Sequence, residues 1–209
     1  MMADALPQQD PSDPAFAFWS IFEQSRIPMT ILDQDRCYVK VNDALVDLWE
    51  YPRSELIGSC ADGMVVDGED MRASRWEQLV RTRQLYGERV IEHASGAQFR
   101  VTYAAHVITV DGQWRVLVVT LSARLPDGAE LIGNNHVESA GTNGARLTPR
   151  EREVVRLVAL GADTRGIAAE LSLSPETVRT HVRNAMSKTG VHTRAHLVAL
   201  VLSDGLVAG

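Results

Sequence analysis

The stretch from Ser122 to Arg146, SARLPDGAELIGNNHVESAGTNGAR, constrains the fold of this 209-residue chain more than any other feature. Pro-Asp-Gly, Gly-Asn-Asn and Gly-Thr-Asn-Gly follow one another with little apolar periodicity, and such runs connect domains. The stretch divides the chain into an N-terminal unit, residues 15–123, and a C-terminal unit, residues 147–209, with 124–146 as the linker. Both units fall within ordinary domain sizes, the second near the lower end.

Charge follows the same division. From Arg146 onward there are nine Lys/Arg against six acids, a net of +3, whereas the preceding residues carry twelve against twenty-one, a net of −9. An acidic body with a small basic tail is the layout expected when only the tail meets a polyanion. Met1 to Gln9 lacks the basic start and long apolar run of a signal peptide, and no apolar stretch approaches the ~20 residues of a membrane span. A soluble, cytoplasmic protein without a membrane partner is expected. The two cysteines, Cys37 and Cys60, are too few for a disulfide framework and lack zinc-site spacing, so reduced, structural thiols are expected. The six histidines form no HExxH or Cys/His cluster, and no metal site is expected.

In the N-terminal unit, Asp13-Pro14 can cap and start a short helix bearing Phe16, Phe18, Trp19, Ile21 and Phe22. Such an aromatic helix needs cover, either from its own domain or from a second copy. Met29-Thr-Ile-Leu-Asp and Cys37-Tyr-Val-Lys-Val read as a hairpin of two strands. Asn42-Asp43 can cap a helix carrying Leu45, Leu48 and Trp49, which Tyr51-Pro52 ends; Ser54 to Gly58 adds a turn, and a longer helix is predicted from Asp70 to Leu85. After Gly87 the pattern gives three strands, Glu88–His93, Gln98–Val110 and Trp114–Ser122, with Asp111-Gly112 as a hairpin turn. The expected fold is α+β, a five-stranded antiparallel sheet with helices on one side.

Ile27-Pro28-Met29, VNDAL with Asn42 and Ala44, WEYPRSELIG and the closing three-strand meander together resemble a PAS sensor domain over about residues 15–123. Glu50 stands where that family usually has Gly. A nuclear-transport-factor-like or other small α+β enzyme fold is the alternative.

The tail opens with Thr148-Pro-Arg-Glu151, which fits a capping box on a Pro-initiated helix. Val154, Val155, Leu157, Val158 and Leu160 supply its apolar side, and Gly161 can end it. Asp163-Thr164 opens a second helix through Leu171. Ser174-Pro175 starts a third, with Val178, Val182 and Met186 as its inward stripe and Arg179, Thr180 and Arg183 outward. Ala168 and Val178 stand ten positions apart, the interval of a helix-turn-helix, with Ser172 and Leu173 in a turn that often holds Gly. Capping, turn length, spacing and charge agree with one another.

LTPREREVVRLVALGADTRGIAAELSLSPETVRTHVRNAMSKTGVHTRAHLVAL, from Leu147 to Leu200, resembles the LuxR-type, or GerE-like, DNA-binding domain, an all-α unit of four helices. Gly166 departs from the pattern, and a mid-helix Gly costs about 0.5–1 kcal/mol. The resemblance implies that the third helix lies in the major groove of double-stranded promoter DNA, with Arg179, Thr180 and Arg183 nearest the bases. It places Thr164, Arg165, Thr177 and Lys188 against phosphates. Glu176 and Thr177 lie in the first turn, whose N–H groups can also face a phosphate. The fourth helix, Thr193 to Leu202, carries Ala195, Val198, Ala199 and Leu202, which in the family help form a dimer; core packing is the other reading. His181 receives no role.

The signal is less legible. The aspartate-centred receiver organisation is missing, so phosphorylation is not the expected trigger. Cys60 follows Gly58 as in flavin photosensors, but Ser59, Ala61 and Asp62 stand where their motif would be, and flavin is not expected. Haem would need an axial ligand such as His93 or His106, and a lone strand His is usually structural. No cofactor is required; an unidentified small ligand, a protein partner or no ligand all stay open, because Val101, Tyr103, Val116 and Val118 suit core or pocket. The expected function is sequence-specific transcription regulation by a homodimer, with RNA polymerase a candidate partner and no catalysis. The contrary reading is a small-molecule enzyme, or a haem or flavin sensor, with an appended DNA-binding tail.

Overall fold

The computed structural model describes residues 14–63, 66, 73–110, 112–132, 147–191 and 193–203. The N-terminal unit runs α1 (Pro14–Gln24), β1 (Met29–Leu32), β2 (Tyr38–Val41), α2 (Asp43–Trp49), α3 (Arg53–Leu56), a 3-10 turn (Ala61–Gly63), α4 (Ala73–Thr82), β3 (Gln84–Glu92), β4 (Gln98–Val110), β5 (Gln113–Arg124) and β6 (Glu130–Ile132). The C-terminal unit is α5 (Pro149–Ala159), α6 (Thr164–Glu170), α7 (Pro175–Thr189) and α8 (Arg194–Ser203). Asp13, Asp70 and Asp111, the Phe16 side chain and the Gly-Asn-Asn and Gly-Thr-Asn-Gly segments lie outside the described residues.

The strands form one antiparallel sheet in the order β2-β1-β5-β4-β3. The five strands read from the sequence are joined by a sixth: β6 pairs with the end of β5 through Ala123–Ile132 and Arg124–Glu130. Pro126-Asp-Gly128, read as the start of a linker, is instead a hairpin turn, with Gly128 at φ 87 and the Asp127 carboxylate accepting from the Ala129 N–H. The chain therefore stays on the sheet past residue 124.

Helix α4 ends at Thr82, short of the Leu85 expected from periodicity. Arg83 turns into the left-handed region at φ 61, and the Thr82 hydroxyl lies 2.8 Å from the Gln78 carbonyl and 2.7 Å from that of Gln84. Neither Gly nor Pro marks that corner, so the strand start at Gln84 was hidden. Gly87, read as a boundary, lies inside β3 opposite Tyr103. A Cβ there would come within 2.8 Å of the Tyr103 hydroxyl and 2.6 Å of the Arg75 guanidinium, which is why the strand has a gap at that position.

Both sheet faces are covered. Leu45, Trp49, Leu56 and Leu79 from α2, α3 and α4 pack on the face formed by Leu85, Phe99, Val101, Tyr103, Ala105 and Val116. The opposite face, with Met29, Ile31, Ala104, Ile108, Leu117 and Val119, holds Ile21 and Phe22 of α1 together with residues of the C-terminal helices. Helices thus lie on both sides, and this explains why β4 is buried residue after residue from Tyr103 to Ile108 instead of alternating. Phe22 of α1 is buried within its own chain, and Phe18 and Trp19 pack half-buried against the same cluster.

Asn42 joins these layers. Fully buried, it accepts from the N–H groups of Met29 and Leu45 and donates to the carbonyls of Phe22 and Ile27, so one side chain ties α1, β1 and α2 together. Glu50 ends α2 at φ 55, in the left-handed region that Gly favours.

Candidate nucleic-acid interface

The C-terminal helices are set by their caps. Thr148 accepts from the Glu151 N–H at 3.2 Å and the Glu151 carboxylate accepts from the Thr148 N–H at 2.7 Å, the reciprocal box expected of that tetrad. Asp163 caps α6 by accepting from the Gly166 N–H at 2.7 Å, and Ser174 caps α7 by accepting from the Thr177 N–H at 3.0 Å. Gly190, at φ 69, closes α7. Gly166 therefore occupies the capped first turn of α6 and not its middle, where the helix-weakening cost assigned to it would apply.

Ala168 of α6 and Val178 of α7 are both buried in one cluster, the close crossing that the ten-residue interval implies. Ser172 makes the turn possible by adopting φ 54, in the left-handed region that Gly favours. With Val178, Ala185 and Met186 buried, the opposite side of α7 faces outward. Arg179, Thr180 and Arg183 are all exposed on it. Arg179 pairs with Glu176 at 2.8 Å, an exposed i,i+3 contact that can exchange for another anion at little cost. The exposed Thr180 has its hydroxyl donating to the Glu176 carbonyl at 3.0 Å. Asn184 and Ser187, to which the sequence reading gave no role, are exposed on α7 beside Arg183. An amide at such a position can meet adenine N6 and N7 together. Their spacing from Thr180 could have found them.

The four residues expected against phosphates separate into two groups. Arg165 is exposed and Thr164 and Thr177 are half-buried at the starts of α6 and α7. Lys188 is different: its ammonium lies 2.8 Å and 2.7 Å from the two oxygens of Glu151, whose side chain is only 4% exposed. Burial works to raise the Glu151 pKa, but the hydrogen bonds from Lys188 and Thr148 outweigh it and hold the carboxyl below its ordinary value. Lys188 thus clamps α7 to α5, a structural task the sequence reading did not assign it. His181 is half-buried.

Helix α8 has no exposed side among its described residues. Leu197 and Val201 enter a core with Val155, Ala185 and Met186, while Val198, Ala199 and Leu202 face the sheet beside Ala104, Leu117 and Val119. Apart from Arg194, His196 and Ser203 the residues of α8 are apolar, as expected of a helix packed on most sides. At the edge of this contact the His196 Nε2 lies 2.6 Å from the Tyr86 hydroxyl. Arg26 stacks below Gly161, where an added Cβ would come within 3.2 Å of its side chain. The helical unit is docked through α5 and α8, and the outer side of α7 stays open.

Between α2, α4 and the inner sheet face lies a cavity of about 50 Å³ lined by Trp49, Trp76, Arg89, Tyr103 and Thr120 among others. Among the described residues, the buried Trp49 Nε1 and Arg89 Nε have no hydrogen-bond partner. Neither His93, His106 nor Cys60 lines it. The His93 imidazole is paired with Ser95 at 2.7 Å, and His106 belongs to the other sheet face. Among the described residues no helix is long and apolar enough to cross a membrane, and no His/Cys/Asp/Glu group could hold a metal ion.

An exposed basic helix carried by a capped helix-turn-helix is joined to a sheet covered on both faces. The family model described as bacterial regulatory proteins, luxR family, matches residues 145–201. The spore germination protein GerE of Bacillus subtilis is 48% identical over 59 residues, which are 28% of this chain and 80% of GerE. The chain belongs to the luxR family of bacterial regulatory proteins. It spans between 6% and 44% of several other regulators that it matches. The N-terminal unit is similar to the PAS domain of an HTR-like protein from Haloarcula marismortui, at 21% identity and a TM-score of 0.44 over 48% of this chain and 84% of that one. The VqmA–ligand–DNA complex of Vibrio cholera matches at 17% identity and a TM-score of 0.40, over 91% of this chain and 87% of VqmA.

Proposed function

We propose that this protein is a sequence-specific, DNA-binding transcriptional regulator whose α7 reads promoter DNA from the major groove. The observation that carries the reading is the division of α7: Val178, Ala185 and Met186 are buried, and Arg179, Thr180 and Arg183 are exposed on a surface that the sheet leaves uncovered. Arg179 and Arg183 are suited to guanine O6 and N7, and the Thr180 methyl to thymine. Arg165, Thr164 and Thr177 hold phosphates, aided by the backbone N–H groups of the α7 first turn. Lys188 acts through Glu151 by holding α7 in place, and no catalytic step is assigned to the chain.

Two copies acting on a palindromic site fit a helix-turn-helix of this kind. The sheet covers Val198, Ala199 and Leu202, so a dimer through α8 requires the helical unit to leave the sheet. The N-terminal unit is the sensor, and its cavity of about 50 Å³, lined by Trp49 and Arg89 whose Nε1 and Nε lack partners among the described residues, has room for a ligand of a few heavy atoms carrying a hydrogen-bond acceptor. RNA polymerase is the partner through which such a regulator acts.

Footprinting of the purified full chain on fragments of its genome, at several salt concentrations, tests the reading. Discrete protected sites whose affinity falls steeply with salt are expected. Uniform, salt-insensitive binding, or none to any fragment, contradicts it.

A further inference from the structure

Cys37 and Cys60 lie outside the interface and the cavity, yet the fold brings them together. They form an isolated antiparallel bridge between the start of β2 and the segment after α3. The flanking hydrogen bonds run from the Tyr38 N–H to the Ser59 carbonyl at 2.9 Å and from the Ala61 N–H to the Arg36 carbonyl at 3.0 Å. That pattern makes Cys37 and Cys60 a non-hydrogen-bonded pair, the kind in which opposed Cα atoms stand about 4.5 Å apart and side chains are closest. A disulfide accepts Cα separations of about 4.4–6.8 Å, so the backbone need not move for the sulfurs to join. The Sγ atoms lie 2.6 Å apart. Cys60 is exposed and Cys37 half-buried, so a small reagent reaches the pair from solvent.

We propose that Cys37 and Cys60 are a two-electron redox site that closes to an intramolecular disulfide by exchange with a low-molecular-weight disulfide such as oxidised glutathione. The exposed Cys60 attacks first. Its thiolate forms a bond to one glutathione sulfur, and the glutathione S–S bond breaks to release a thiolate. Cys37 keeps its proton until then: the hydrogen bond to Cys60, burial, and the charges of Cys60, Asp33 and Asp35 push its thiol up to about 11. The Cys37 proton passes to the departing glutathione thiolate, Cys37 attacks the Cys60 sulfur, and the second glutathione leaves as a thiolate that takes back from solvent the proton Cys60 lost on ionising. One protein dithiol and one glutathione disulfide thus become one protein disulfide and two glutathione thiols.

The bond fastens the segment after α3 to β2. Ala61 and Tyr38, the residues next to the two cysteines, both line the cavity, so oxidation stiffens one of its walls. The site differs from a structural disulfide in its exposure, which is where labile and regulatory pairs are found.

The full chain is equilibrated in glutathione buffers of graded potential, alkylated under denaturing conditions and weighed intact. The expected result is a single two-electron transition in which both alkylation sites vanish together from a monomer without retained glutathione, reversed by dithiothreitol. Cys37→Ser should instead trap glutathione on Cys60. Independent glutathionylation of the two cysteines in the wild-type chain, or two free thiols at the most oxidising potential, overturns the proposal. The wild-type titration alone decides the matter, so loss of folding in the variant does not obscure it.

Discussion

Lys188 and Glu151, thirty-seven residues apart, meet in a two-point ion pair that closes the helix-turn-helix across α5 and α7, with the Glu151 side chain 4% exposed. The same carboxylate completes the α5 capping box, so one acid serves two structural bonds. Breaking a buried pair by removing one partner leaves a charge uncompensated. Because Lys188 is 30% exposed, water reduces that penalty.

Lys188→Met should therefore lower stability by about 1–3 kcal/mol in urea unfolding, and Glu151→Gln in that background should recover part of the loss. The depressed Glu151 pKa gives the pH dependence its sign: its stabilisation is present in full above the ordinary 4.5 and is lost as pH falls through the lower folded value. A Lys188 variant of unchanged stability but uniformly weaker DNA binding would return this residue to the phosphate-contacting set.

The proposed base readers and phosphate holders of α6 and α7 should separate by their salt response. Arg183→Ala should cost about 1–3 kcal/mol on the preferred site and relax base choice, whereas Arg165→Ala should weaken all sequences alike and reduce the salt slope by about one. Titrations of specific and random duplexes at several salt concentrations separate the two outcomes.

His106, 3% exposed and with its Nε2 unpartnered among the described residues, is held neutral. Burial lowers its pKa from 6.5 to about 4. The unfolded chain binds the proton more readily, so stability is full above pH 6.5 and declines as pH falls toward about 4, by ~3 kcal/mol in total. Thermal unfolding across that window should show the decline, and His106→Leu should flatten it.

Glu50 sits at φ 55, where a side chain is strained, and its carboxylate lies 3.5 Å from the His93 imidazole. Glu50→Gly should stabilise the N-terminal unit by about 1 kcal/mol. A loss of stability in chemical denaturation would show that the His93 contact outweighs the backbone strain.

The helical tail was legible nearly to the residue because its caps are local: Thr148, Asp163, Ser174 and Gly190 each act within one turn. What escaped the sequence was non-local or lacked its usual marker. Arg83 and Ser172 take positive φ without being Gly, so the α4–β3 corner and the helix-turn-helix turn carried no breaker signal. The Glu151–Lys188 pair spans two helices, and nothing in periodicity links them. The docking of α8 on the sheet was hidden for the same reason. A helix as largely apolar as α8 tells that it is covered, but not by which of two available surfaces.

Whether the outward side of α7 selects the DNA sequence, as proposed, is read out by selection from a random duplex library. The wild-type chain is predicted to enrich one palindromic motif, while a correctly folded Arg179→Ala/Arg183→Ala variant keeps weak, salt-sensitive binding and loses that motif. Enrichment of the same motif at the same affinity by the variant would contradict the account.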